Sequence, residues 1–222
     1  MERHTSFFYI LALTITVMTA VSGCSGQPSD RKPGVSSAVI VDETMPKGTF
    51  GPFFVYEDKS SKNRFTPSGY MPTGECLSVD DGWQYDVKEG KTCVRTVYDI
   101  PCSKEGRKWI GLYWQNPADN WGNRKGGYDL TGATKLVFWA KGEMGGERIK
   151  EFKVGGLGEG QMFPDSDVAV IGPVILTNEW KEYTIDLRGK DLSYISGGFS
   201  WVTDVDANPH HCIFYLDHIR FE

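Results

Sequence analysis

Three tryptophans and a tyrosine lie close together in residues 109–122, which read WIGLYWQNPADNWG. Trp114 and Trp121 bracket a run of amide and carboxylate side chains that includes Asn120. Aromatic rings offer flat apolar faces for stacking, and amides and carboxylates bind hydroxyl groups, so these side chain types favour a sugar as ligand. The alternative is that Trp121 only pins its loop to the domain and that the Asn and Asp residues form ordinary turns.

A second polar loop, GGLGEGQMFPDSD, covers residues 155–167 and contains Asp165 and Asp167 beside Phe163. Its glycines allow the backbone to approach a ligand closely. We expect the two carboxylates to bind the ligand if this loop and residues 109–122 converge at one end of the fold.

Motifs of the common catalytic sites are missing from the sequence. It contains no G-x-S-x-G nucleophile motif, no G-x-x-x-x-G-K-[ST] loop and no H-E-x-x-H motif. The adjacent His210 and His211 would point to opposite faces of a strand, and the many carboxylates lie mostly in turns, where no acid–base pair can be assigned. We therefore predict a protein that is not an enzyme, with a polysaccharide-active enzyme as the less favoured alternative.

The N-terminal residues are typical of an exported lipoprotein. An apolar run at 7–21 follows a short basic start, and VSGC at 21–24 resembles a bacterial lipobox. The resemblance implies removal of residues 1–23 and lipidation of Cys24, which would attach the protein to a membrane. Ser25 favours the outer membrane. An ordinary signal peptide or an uncleaved anchor is the alternative.

Composition and cysteine content restrict the remaining possibilities. A net charge of −5 and the lack of a basic cluster argue against nucleic acid as a partner. If Cys24 carries lipid, an even set of four cysteines is left for an oxidising compartment. Sequence allows three pairings or buried free thiols, and we favour Cys76 with Cys93, because both lie in strands that we expect to be neighbours. The four are Cys76, Cys93, Cys102 and Cys212.

After a Ser-, Gly- and Pro-rich tether at 24–38, residues 39–222 show many short apolar runs with period-two alternation, bounded by turn residues. No helix of three turns is indicated. This pattern predicts an all-β antiparallel sandwich or barrel. The expected strands lie near 39–42, 52–57, 75–80, 91–98, 107–115, 134–141, 148–155, 172–176, 180–187, 199–204 and 211–221.

Alternation also assigns side chains to the two faces of each strand. Ile110, Leu112 and Trp114 share one face, which we expect to fill the core. Trp109, Tyr113 and, on another strand, Trp139 then lie on outer faces, where polar residues are expected. Exposed rings usually mark a contact site. Alternatively, a loop or residues 35–50 cover them.

Four segments carry a family resemblance: YDLTGATKLVFWAKG (128–142), EWKEYTIDLRGKDLSYISGGFSW (179–201), CIFYLDHIRFE (212–222) and FVYEDKSSKNRFTPSGYM (54–71). They resemble the jelly-roll, galactose-binding-like sandwich that is common among carbohydrate-binding modules. The resemblance covers most of residues 52–222. It implies an antiparallel β-sandwich of the jelly-roll type, although these motifs specify the fold better than the ligand.

The same resemblance implies a structural calcium ion between the first and last strands. Asp217 would be its main carboxylate, with Glu57 and Asp58 near the first strand. His218 stands where many relatives have a second acidic residue, which lowers the local negative charge. The alternative is that Asp217 accepts hydrogen bonds from a turn.

Together these observations predict a lipid-anchored, non-catalytic carbohydrate-binding protein of the bacterial cell envelope, with a polysaccharide or glycan as partner. A structural or protein-interaction lipoprotein is the alternative, and the oligomeric state is left open. The expected ligand-binding residues are Trp109, Tyr113, Trp114, Asn120, Trp121, Trp139, Asp165 and Asp167.

Overall fold

A computed structural model describes residues 50–59, 61–104 and 108–222. Of these residues 46% are in strands and 2% in helices, which confirms the all-β prediction. Every strand pair is antiparallel. In the described part of the chain no helix has the length and apolar character needed to cross a membrane.

The strands form two large sheets, here called sheet I and sheet II, and one small two-stranded sheet. Sheet I has the order β11-β6-β13-β4-β3, with β1 paired to β13, and contains β1 (Phe53–Tyr56), β3 (Leu77–Trp83), β4 (Cys93–Tyr98), β6 (Lys135–Gly142), β11 (Lys181–Asp186) and β13 (Cys212–Phe221). Sheet II has the order β2-β5-β12-β8-β9 and contains β2 (Thr66–Met71), β5 (Trp109–Gln115), β8 (Glu151–Gly155), β9 (Val168–Ile171) and β12 (Gly197–Asp204). The small pair joins β7 (Arg148–Ile149) to β10 (Val174–Ile175), and one short helix, α1 (Ile100–Lys104), follows β4.

The sequence pattern misses two strands, β2 and β9, which are the edge strands of sheet II. Strand β2 contains Pro67 and Gly69, which are typical of turns, but an edge strand tolerates proline because one of its sides needs no donor. Strand β9 has only four residues and ends just before the Gly172–Pro173 turn. The expected strand at 39–42 lies outside the described residues.

The inner faces of the two sheets pack against each other through aromatic side chains. Phe138 of sheet I contacts Phe199 of sheet II with ring centroids 5.0 Å apart, and Trp201 of sheet II meets Phe214 of sheet I at 4.9 Å. Trp114 belongs to this core and is 0% exposed. Its expected role in ligand binding is therefore corrected: Trp114 follows the alternation of β5 and faces inward.

The disulfide joins Cys76 to Cys102, not to Cys93 as expected from sequence. Cys93 lies at the opposite end of β4, where it pairs with Trp83, whereas α1 folds back beside the start of β3 and brings Cys102 to Cys76. Cys93 and Cys212 are free and buried, and burial raises the pKa of each thiol to about 12. They remain protonated at neutral pH.

Candidate functional site

The outer face of sheet II carries the exposed rings that the sequence indicates. On β5, the residues that alternate with the core are Trp109, Gly111 and Tyr113. Across the ladder, Trp109 lies opposite Asp204 and Tyr113 lies opposite Ser200 on β12. Residues directly opposite in a ladder share a face, so these side chains form one surface.

Two indoles stand at either end of this surface. Trp109 is 41% exposed and Trp121 is 38% exposed. The ring of Trp121 lies edge-on to that of Tyr113, with centroids 6.2 Å apart. Four residues of strand separate 109 from 113, which corresponds to about 13 Å. The two exposed rings therefore flank a strip of sheet of about that length.

The floor of the strip is filled by side chains, because Met71 and Val202 lie opposite Gly111 in the ladders on either side of β5. A β-carbon at Gly111 would lie 2.7 Å from both Met71 Cε and the Trp201 carbonyl oxygen, and one at Gly69 would lie 2.7 Å from Tyr113 Cβ. The neighbouring Ser200 is small and buried. The backbone between the two indoles is therefore covered, and a ligand at this place would contact side chains such as Met71 and Val202.

Polar groups line the same strip. The Lys153 Nζ lies 5.2 Å from the centre of the Tyr113 ring and 3.5 Å from Glu151 Oε1. Burial acts to lower the pKa of Lys153, but Tyr113 and Glu151 outweigh that effect and raise it. The ammonium group therefore stays charged at neutral pH and offers hydrogen-bond donors. Tyr113 is itself buried and donates its hydroxyl hydrogen to the Gly155 carbonyl at 3.1 Å. Its expected role in ligand binding is therefore corrected: the ring supports Trp121 from below.

Asn120 shapes the loop that presents Trp121 and does not face a ligand. Its side chain is buried, donates to the Arg124 carbonyl at 3.0 Å and accepts from the backbone N–H of Gly122 at 3.1 Å. Gln115 donates to the Asn120 carbonyl at 3.0 Å. The expected contact of Asn120 with a ligand is corrected to a structural role in this loop.

The two polar loops do converge, as the sequence analysis requires. The Phe163 N–H donates to the Gly122 carbonyl at 2.9 Å, which joins the 155–167 loop to the loop of Trp121. Both loops thus lie at the Trp121 end of the strip.

The carboxylates of the 155–167 loop are engaged within the chain. Asp165 accepts the backbone N–H of Ser196 at 2.6 Å and that of Leu157 at 3.0 Å, and burial raises the pKa of Asp165. Asp167 accepts the N–H of Asp191 at 3.1 Å, and the Val168 and Asp191 amides hold the pKa of Asp167 below its usual range. Both carboxylates thus stabilise the loop, and their contact with a ligand stays a prediction.

Trp139 lies on the other sheet. It sits on the outer face of β6, opposite Asp217 of β13, and Lys88 Nζ lies 4.2 Å from the centre of its ring. The hydrophobic core separates it from Trp109 and Trp121. Alternation correctly predicted an outer face for Trp139, but two sheets have two outer faces, so its expected membership of the same site is corrected.

Two of the expected calcium ligands, Asp217 and Asp58, contact the loop between β3 and β4. Asp217 is buried, and its Oδ2 accepts the backbone N–H of Lys88 at 2.9 Å; Asp58 Oδ1 accepts that of Thr92 at 2.7 Å. Amide hydrogens thus face oxygens that a calcium ion would need. Within residues 50–59, 61–104 and 108–222, no group of three or more His, Cys, Asp or Glu side chains is arranged to hold a metal. Calcium bound by Glu57, Asp58 and Asp217 stays a prediction.

The buried Asp217 makes stability depend on pH. Burial raises the pKa of Asp217 to about 6, above its value in an unfolded chain. Ionisation of Asp217 therefore destabilises the folded state as pH rises from about 4 to about 6. We expect Asp217→Asn, which cannot ionise, to unfold at a higher temperature than the wild type at pH 7.5 but not at pH 4. The difference corresponds to at most about 3 kcal/mol. Thermal unfolding in EDTA at both values measures it.

Asp58→Asn is the matched control. Burial acts to raise the pKa of Asp58, but the amides of Lys91 and Thr92 outweigh it and lower that pKa. Folding thus favours the ionised carboxylate of Asp58, and the stability that this carboxylate contributes is lost as pH falls. Asp58→Asn is expected to lower the melting temperature at pH 7.5 and to matter less at pH 4. Equal shifts at both pH values for Asp217→Asn would contradict the role of burial.

Comparison with known proteins identifies the fold. No protein-family model matches the chain, and no curated protein matches it significantly. Among solved structures, a family 30 carbohydrate-binding module matches with a TM-score of 0.50 and 15% identity over 78% of this chain and 99% of that chain. The family 30 module of a cellulosomal cellulase of Clostridium thermocellum gives 0.48 and 18%, over 78% and 98% of the two chains. A xylan-binding domain from Paenibacillus barcinonensis gives 0.41 and 15%, over 77% and 91%. The chain thus has the jelly-roll β-sandwich fold found in a family 30 carbohydrate-binding module.

Proposed function

We propose that this protein binds a carbohydrate chain, without changing it chemically, on the outer face of sheet II. The observation that carries the proposal is the pair of exposed indoles, Trp109 and Trp121, at either end of a strip on the outer face of sheet II. The fold shared with a carbohydrate-binding module is in accord with this function.

The chemistry of the strip suits a polysaccharide. The C–H faces of sugar rings stack on indoles, and hydroxyl groups between them can bond to Lys153 and Glu151. Glu151 pairs with Lys153, and Asp204 accepts a hydrogen bond from Lys150 at 2.6 Å. These ion pairs favour hydrogen bonding to hydroxyls over proton transfer, which is the reason for proposing binding without catalysis.

Affinity gel electrophoresis of the full chain in gels containing xylan, cellulose derivatives or other soluble polysaccharides tests the proposal. Retardation by at least one polysaccharide is expected. A folded protein that no glycan retards, and that crosslinks instead to another envelope protein, would replace the proposal by the protein-interaction alternative.

We also propose that the protein is attached to a membrane, and the supporting observation is the sequence VSGC that ends at Cys24. Lipid on this thiol would hold the domain at the bacterial outer membrane. We expect Cys24→Ser to move the protein from the membrane fraction to the soluble fraction, whereas Ser25→Ala, which keeps the thiol, leaves it membrane-bound. Cell fractionation with metabolic labelling by a fatty acid measures both. A labelled Cys24→Ser variant would show that the lipid is attached elsewhere.

A further inference from the structure

The outer face of sheet I carries a second aromatic surface, which has no counterpart in the sequence analysis. In the strand register, Tyr215 of β13 lies between Lys141 of β6 and Arg95 of β4. Trp180 directly precedes β11. Lys181, the first residue of β11, pairs with the residue of β6 that precedes Lys141, so Trp180 lies beside Lys141. These four side chains form a row across four neighbouring strands, here called the cross-strand row: Trp180, Lys141, Tyr215 and Arg95.

The rings of the row are held by specific contacts. Lys141 Nζ lies 5.3 Å from the centre of the Tyr215 ring and 5.9 Å from that of Trp180. Trp180 donates its indole N–H to the Asp86 carbonyl at 3.1 Å, and the Tyr215 hydroxyl donates to Glu143 at 3.2 Å. Rings that are already oriented lose little freedom when a ligand binds, which favours affinity.

Two further rings extend the row at the Arg95 end. The Arg95 guanidinium lies 4.8 Å from the centre of the Trp83 ring. Trp83 in turn lies 6.4 Å from Tyr215 and 5.2 Å from Tyr85. Tyr85 is 72% exposed, so its ring projects from the surface. The surface thus runs from Trp180 to Tyr85, and the buried side chains of Tyr215 and Lys141 form its floor.

The charges of this surface cancel in pairs. Lys141 forms an ion pair with Asp86, and Arg95 Nη2 lies 3.7 Å from Glu143. A surface that mixes rings with neutralised hydrogen-bonding groups suits an uncharged ligand rich in hydroxyls better than an anionic or an aliphatic one. The strongly exposed aliphatic side chains of β9 and β10, such as Val170 and Ile175, lie on other strands.

We propose that the cross-strand row with Trp83 and Tyr85 is a second carbohydrate-contact surface, specific for a neutral glycan chain. That the ligand of this surface is a carbohydrate rests on the function proposed for sheet II. Four strands span about 14 Å, which is comparable to the strip between Trp109 and Trp121. Because the two surfaces lie on opposite sides of one sandwich, a single domain binds two glycan chains and can crosslink them.

The test uses isothermal titration of the full chain, purified in detergent, with cello- and xylo-hexaoses, together with affinity gels of the retaining polysaccharide. Wild type is expected to bind two hexasaccharides per chain. Tyr85→Ala combined with Trp180→Ala reduces this to one, and so does Trp121→Ala. Combining all three changes abolishes retardation. Ile175→Ala, which removes a 56% exposed apolar side chain from β10, is the matched control and keeps both sites.

The outcomes separate the two proposals. One site in the wild type, lost in Trp121→Ala and unchanged in Tyr85→Ala, overturns the second surface and leaves the proposed function intact. Binding that Tyr85→Ala and Trp180→Ala abolish while Trp121→Ala leaves it intact supports the second surface and overturns the site on sheet II. Melting temperatures of all variants within about 3 °C of the wild type show that the fold is kept, and Tyr85→Ala alone is the decisive variant if Trp180→Ala unfolds.

Discussion

Replacement of Trp121 by alanine is expected to lower the affinity of the sheet II strip for its glycan by about 30-fold, or about 2 kcal/mol. The ring is 38% exposed and meets the rest of the domain through the edge of Tyr113. It therefore contributes a free face to a ligand and little to the core. The melting temperature is expected to change by less than about 3 °C. Isothermal titration with an oligosaccharide of the retaining glycan, in the Tyr85→Ala/Trp180→Ala background, measures the loss at this strip alone.

Asn123→Ala is the matched control for this prediction, because Asn123 is exposed in the same loop, two residues from Trp121. Its affinity and melting temperature should equal those of the wild type. If Trp121→Ala instead keeps the affinity but unfolds about 8 °C earlier, the ring serves the fold and the interpretation of the strip is wrong.

The strands that the sequence predicts well are those in which one face is apolar. Ile110, Leu112 and Trp114 alternate with residues of the outer face along β5, and the structure buries all three. Strand β2 shows no such alternation, since it holds Pro67 and Gly69 at the edge of its sheet. Whether a strand lies at the edge of a sheet depends on which other strands pair with it. A local sequence pattern carries no information about that pairing.

The site could be predicted in its residue types but only partly in its geometry. Trp114 and Trp121 border the same polar run, yet Trp114 continues the strand into the core while Trp121 follows the turn that Asn120 organises. Side chains as short and polar as Asn120 serve turns and ligands equally well, and only their partners distinguish the two roles.

The second aromatic surface shows a further limit of sequence reasoning. Trp83, Trp180 and Tyr215 lie far apart in the chain and come together only through the pairing of β11, β6, β13, β4 and β3. These rings are brought together by the register between strands that are distant in the chain, and local sequence patterns do not encode that register.

The disulfide gives the largest expected effect on stability. Cys76 and Cys102 are 26 residues apart in the chain, and a cross-link that closes a loop of this length stabilises the folded state by about 3.5 kcal/mol through the entropy of the unfolded chain. The double variant Cys76→Ala/Cys102→Ala is therefore expected to unfold about 7 to 14 °C below the wild type. Differential scanning calorimetry under oxidising conditions measures the shift.

A reducing agent supplies the control. It should lower the melting temperature of the wild type to near that of the double variant and leave the double variant unchanged, because Cys93 and Cys212 are buried free thiols with nothing to reduce. A further decrease in the reduced double variant would mean that these two thiols form a bond in solution. The loop closed by the disulfide contains Trp83, Tyr85 and Arg95, so its loss is also expected to weaken glycan binding at sheet I more than at sheet II. Equal losses at both surfaces would show that the bond stabilises the sandwich as a whole and not the sheet I surface in particular.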